Sequence, residues 1–77
     1  MAQFIKSKDE LEFAIFCIES IATSLHVDAS KVYKALNDES AILKGYIIPE
    51  YDVLHTQGKE YILDDILDVM RERGVVV

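Results

Sequence analysis

Tryptophan is absent from these 77 residues, and there is one cysteine, one proline and three glycines. A lone cysteine cannot close an internal disulfide, so no covalent staple is available and a reducing compartment suits the chain. So little proline and glycine excludes collagen-like and linker-like composition, and no repeat or composition shift marks a second domain. The unbroken apolar runs are only a few residues long, whereas a membrane-spanning helix needs roughly 20, so no transmembrane segment is expected. The opening Met-Ala-Gln-Phe-Ile-Lys lacks the apolar stretch of a signal peptide, which points to the cytoplasm. Positive charge is scarce too: eight Lys and Arg stand against 14 Asp and Glu, for a net charge of −6. Phosphate backbones attract the opposite balance, so nucleic acid is a disfavoured partner.

Apolar side chains are plentiful. They make up 51% of the residues, and mean hydropathy is +0.13. A domain this short buries only roughly 60% of the surface of its unfolded chain. Part of the apolar load is therefore expected to meet another chain, as a protein partner or a second copy.

The patterning predicts a single all-α domain over residues 1–77, a small bundle of two long and two short helices (about 8–26, 29–36, 49–56 and 59–73), behind a flexible or extended arm at 1–6. Ser7-Lys-Asp-Glu10 has the form of a capping box, with the Ser7 hydroxyl accepting from the Glu10 amide and the carboxylate reaching back. Leu11, Ala14, Ile15, Ile18, Ile21, Ala22 and Leu25 then draw one apolar stripe. Phe13, Phe16 and Cys17 lie off it and become interface candidates. Asp28 suits an N-cap, with Val27 placed to staple onto Val32. A short helical turn is expected near 39–44, stopped by Gly45, and Tyr46-Ile47-Ile48 reads as extended linker running into Pro49. Gly58 is expected to supply a left-handed residue between the last two helices. The final helix carries Ile62, Leu63, Ile66, Leu67, Val69 and Met70 inside, and Glu60, Asp64, Asp68 and Glu72 as an outer column. Gly74 suits its C-terminal cap, with Val75 folding back on Met70.

Each chemical motif has a plain structural counterpart. A nucleophilic thiolate needs a lowered pKa, and Cys17 sits mid-helix among apolar neighbours, which suits a structural or interface thiol. Asp52 and His55 share a helix face, but the ligands for a metal site are too few, so neither metal nor cofactor is expected. No catalytic constellation is present, and the chain is read as a non-enzyme. Thr56-Gln57-Gly58-Lys59 could hold an anion at a helix start, or could simply cap helix ends. The acidic column could meet a basic surface, or face solvent. Lys31, Lys34 and Lys44 could touch phosphates in a helix-turn-helix manner, against the overall charge.

The run Leu11-Glu-Phe-Ala-Ile-Phe-Cys-Ile-Glu19, then Val32-Tyr33 with Leu36, Tyr46-Ile-Ile-Pro49, Tyr51-Asp-Val-Leu-His-Thr-Gln-Gly-Lys-Glu-Tyr61 and Asp65-Ile66 resembles a small bacterial domain-of-unknown-function family, numbered three-seven-nine-one. The resemblance runs from about Lys8 to Gly74. Members of that family are often encoded beside proteins resembling ADP-ribosyltransferases, which implies an antitoxin-like role in a toxin and antitoxin pair. The expectation is therefore a protein-interaction module whose recognition residues are drawn from Phe13, Phe16, Cys17, Tyr51, His55, Thr56, Gln57, Lys59, Asp64 and Asp68. The alternatives are a DNA-binding autoregulator and an anion- or ligand-binding module at the Thr56–Lys59 corner.

Overall fold

The computed structural model describes residues 5–77, so the expected arm lies outside the described residues up to position 4. Four α-helices form: α1 (Lys8–Leu25), α2 (Ala29–Tyr33), α3 (Tyr51–Leu54) and α4 (Lys59–Glu72). Wider π-type turns carry α2 on through Lys34–Asp38, and a separate π segment spans Leu43–Ile47. No strand occurs among the described residues. The all-α expectation therefore holds.

Helix α1 begins as its sequence demands. The Glu10 amide donates to the Ser7 hydroxyl (3.1 Å), while the Glu10 carboxylate accepts from the Lys6 amide (2.9 Å), one residue further out than an ideal capping box. His26 ends the helix in the left-handed region at φ 57°, and the Val27 amide folds back onto the Ala22 carbonyl at 3.0 Å. Helix α4 ends the same way: Gly74 sits at φ 70°, and the Val75 amide reaches the Met70 carbonyl at 2.8 Å. The C-terminal cap read from Gly74 is therefore present, whereas the one at His26 uses a residue with a Cβ.

The core lies between α1, α2 with its π extension, the π segment and α4, and Ile21, Val32, Leu36, Ile42, Leu43, Ile47 and Ile66 are sealed from solvent. A bend of 118° between α1 and α2 folds the second helix back against the first. No single described helix is long and apolar enough to cross a membrane.

Several local expectations are corrected. The Tyr46-Ile47-Ile48 segment is helical, not extended, and Gly45 lies inside the π segment instead of ending a helix. Ile48 takes α conformation (φ −71°, ψ −45°) despite preceding Pro49, because its side chain is buried and the Glu50 amide bonds the Tyr46 carbonyl at 3.0 Å. The third helix shrinks to Tyr51–Leu54. Gly58 is extended (φ −70°, ψ 159°) and stands at the N-cap of α4, where its carbonyl accepts from Ile62. Asp28 holds the N-cap position of α2 without a side-chain cap bond.

The apolar stripe of α1 is also rotated from its expected position. Phe13, Ala14, Cys17, Ile18, Ile21 and Ala22 are buried, whereas Ile15 and Leu25 stand about 40% exposed. The interface assignments of Phe13 and Cys17 are therefore corrected: both belong to the core. Tyr51 causes the rotation at Phe13, since α3 packs its ring against that edge of α1 and supplies a covering surface absent from a one-stripe reading.

Candidate functional site

Four aromatic rings run in sequence across the junction of α1 and α3. Phe16 stacks on Phe13 with centroids 6.3 Å apart, and Phe13 meets Tyr51 edge-on at 5.3 Å and 72°. Tyr51 in turn lies parallel to His55 at 4.5 Å and 13°. Spacing of i, i+4 puts Tyr51 and His55 on one face of α3. The i, i+3 spacing does the same for Phe13 and Phe16 on α1. Offset and edge-on pairs of this kind add about 0.5–1.5 kcal/mol each beyond area burial. Phe13 is sealed in the middle, Tyr51 is half-buried, and Phe16 and His55 emerge at the two ends. Burial, followed by the field of Asp9, Asp52, Glu10 and Glu12, raises the Tyr51 phenol above its ordinary value.

The corner after α3 is built from caps. The Thr56 hydroxyl donates to the Val53 carbonyl (2.8 Å), and the Gln57 side-chain amide donates to the Thr56 oxygen (3.4 Å). The Gln57 backbone amide bonds the Leu54 carbonyl at 3.0 Å. These polar groups satisfy the end of α3. Lys59 leaves the corner toward α1, where it lines a shallow depression of about 200 Å³ with Phe16, Glu19, Ser20 and Thr23. His55, Thr56, Gln57 and Lys59 are all exposed.

Asp64 and Asp68 occupy the outward side of α4, in one row with Glu60 and Glu72, and all four are exposed. Tyr61, 57% exposed, shares that side at i−3 from Asp64. Asp68 pairs with Arg71 one turn on. Beside the row, the Tyr46 hydroxyl donates to the Asp65 carboxylate, tying the π segment to α4. That hydrogen bond, with burial behind it, pushes the Tyr46 phenol up to about 12.

Cys17 is almost wholly buried, and desolvation pushes its thiol up to about 12, the opposite of what a nucleophile needs. No three His, Cys, Asp or Glu side chains among the described residues converge where a metal could sit. Lys31 and Lys34 line one depression with Glu39, Val76 and Val77. Lys44 lines a different cleft of about 410 Å³ with Lys6, Glu10 and Asp52. Each of those two depressions also has acidic residues in its lining.

A family model described as a protein of unknown function, DUF3791, matches residues 12–73. The chain belongs to that family. The DUF3791 match takes in the whole aromatic series, the corner and the carboxylate row. No curated protein matches the chain, and no solved structure does.

Of the sequence-predicted site residues in this DUF3791 chain, the structure brings Phe13, Phe16, Tyr51 and His55 into one series and sets Lys59 beside Phe16. Asp64 and Asp68 form a separate patch on α4. Two features were missed. The Tyr46–Asp65 tie joins residues 19 apart, a separation that carries no local spacing signal. Ser40 caps the π extension of α2 by donating to the Ala35 carbonyl at 2.8 Å. Its place after Asn37-Asp38 was the available clue, since small hydroxyl residues often close helix ends.

Proposed function

We propose that this DUF3791 chain is a non-enzymatic protein-interaction module that docks on a basic surface, as the antitoxin-like partner of an ADP-ribosyltransferase-like protein. The carboxylate side of α4 carries the reading: Tyr61, more than half exposed, stands in a row of four exposed carboxylates on a chain of net charge −6. Tyrosine contributes a rigid amphipathic contact, and the surrounding carboxylates steer a basic partner into register. The nucleotide-binding cleft of an ADP-ribosyltransferase-like enzyme is a basic surface of that kind, and the family resemblance supplies the link to it.

Co-expression with the product of the adjacent gene, followed by pull-down, tests the proposal. Copurification is expected with the wild-type chain and its loss with the double variant Asp64→Lys/Asp68→Lys. A wild-type chain that stays unbound beside that product at micromolar concentration overturns the proposal.

At the corner of the anion-binding alternative, the Thr56 hydroxyl donates to the Val53 carbonyl and so caps α3 instead of facing an anion. The DNA-binding alternative likewise lacks a cation cluster, since Lys44 and the Lys31–Lys34 pair line different depressions.

A further inference from the structure

We infer that the cleft between the start of α1, the π segment and α3 is a binding site for a small zwitterion, a dipeptide with apolar side chains. The inference is independent of the carboxylate side of α4. The cleft measures about 410 Å³, within the roughly 300–1,000 Å³ typical of small-molecule sites. Ile48, Pro49 and Tyr51 give it an apolar lining, in which Ile48 is buried and Tyr51 half-buried. The Tyr51 ring is held by its edge-on contact with Phe13 and its stack on His55, so this wall is formed before any ligand arrives.

The charges around that lining select the ligand. Lys6 and Glu10 come from the start of α1, Lys44 from the π segment and Asp52 from α3. The α1 side of the cleft thus carries one cation and one carboxylate, and so does the side built by the π segment and α3. Among the described residues the ion pairs are Lys8–Glu12 and Arg71–Asp68, so none of these four charges is paired with another. The Glu10 carboxylate is oriented by the Lys6 amide through Oε1, which leaves Oε2 for a ligand. Outside the lining, Asp9 and Glu12 are near enough for their field to reach the Tyr51 phenol, and Lys8 pairs with Glu12. An anion with no positive group of its own meets Glu10, Asp52 and Asp9, whereas a polyamine meets Lys6 and Lys44. A molecule with an ammonium at one end and a carboxylate at the other satisfies both signs. A single amino acid carries its two charges on one carbon, too close together to serve groups drawn from three elements. A dipeptide separates them by two residues, ~7 Å when extended, and its apolar side chains can cover Ile48, Pro49 and Tyr51.

Amide-resolved NMR spectra of the full chain, titrated with leucyl-leucine, read the result. Saturable shifts are expected at the amides of Lys6, Glu10, Lys44, Tyr51 and Asp52, with a Kd on the order of 1 mM. N-acetylleucine amide, which keeps the apolar side chain and loses both charges, is expected to bind at least ~10-fold more weakly, as are sulfate and putrescine. Lys44→Gln and Asp52→Asn each weaken the dipeptide roughly threefold, while circular dichroism and Tm stay at their wild-type values. A wild-type chain with no saturable shift up to about 20 mM dipeptide overturns the inference. So does equal binding of the uncharged analogue, or an affinity that neither variant changes.

Discussion

His26 holds a backbone conformation that side chains with a Cβ resist: at φ 57° it closes α1 in the geometry Gly74 uses to close α4. Left-handed residues other than glycine cost about 1–2 kcal/mol, partly offset by the larger entropy glycine loses on folding. His26→Gly is therefore expected to stabilise the fold by roughly 0.5–1 kcal/mol. At this chain length a gain of that size appears as a rise of a few degrees in Tm. An unchanged or lower Tm would show that the imidazole makes a compensating contact. Tyr46 gives a second residue-scale prediction. Its folded pKa, raised from 10.0 to about 12 by the Asp65 hydrogen bond, lies above the unfolded value. The stabilisation is complete below pH 10 and drains away as pH climbs toward 12. Cys17, raised from 9.0 to about 12 by burial, adds its own loss that starts at lower pH. Denaturant titrations across this range should show a shallower decline for Tyr46→Phe than for the wild type, and equal slopes would remove Tyr46 from the account. At neutral pH the same variant loses about 1 kcal/mol.

At the scale of elements, the two π-type stretches are where sequence and structure part. The capping box at Ser7, the length of α1, the cap at Gly74 and the inner face of α4 were all legible, because each is encoded by neighbours within four residues. The helical turn expected near 39–44 is present in part, but its continuation through residues 45–48 was not legible. Tyr46, Ile47 and Ile48 have strand-like propensity, yet Ile42, Leu43, Ile47 and Ile48 are all buried, and their spacing of four and five residues suits a turn wider than an α-helix. Burial against α1 and α4 overrides the local preference. Phe13 was misassigned for a similar reason, since the Tyr51 ring that covers it arrives from 38 positions down the chain. The candidate site shares this limit. The Tyr51–His55 stack follows from an i, i+4 spacing, but its contact with Phe13 depends on how α3 packs. Gly45 offers a test of the π segment. A Cβ built there meets only the Ala41 Cβ at 3.9 Å, an ordinary contact. Gly45→Ala should thus stabilise by about 0.4–1 kcal/mol through a less flexible unfolded chain. Destabilisation, measured by urea titration, would contradict a helical conformation at Gly45.

For the molecule as a whole, stability is limited by size. A 77-residue domain carries a total of roughly 4–12 kcal/mol at typical per-residue values. Ile21 is wholly sealed, and Ile21→Ala is expected to cost about 2–5 kcal/mol, enough to leave a large unfolded fraction in a marginal domain. Thermal unfolding by circular dichroism checks it, and a Tm within a degree or so of wild type would place Ile21 outside the cooperative core. The surface of the same small body is divided by charge. Helix α4 presents a run of exposed carboxylates suited to a basic partner. The central claim is that this side of α4 docks on such a partner. Its most direct test is a calorimetric titration of the purified chain against an ADP-ribosyltransferase-like protein, the partner class proposed above, repeated with Asp64→Lys/Asp68→Lys and at raised salt. The account predicts a complex that forms at micromolar concentration, weakens as salt screens the carboxylates, and is lost on charge reversal. A complex whose affinity ignores both salt and charge reversal, or no complex at all, would contradict it.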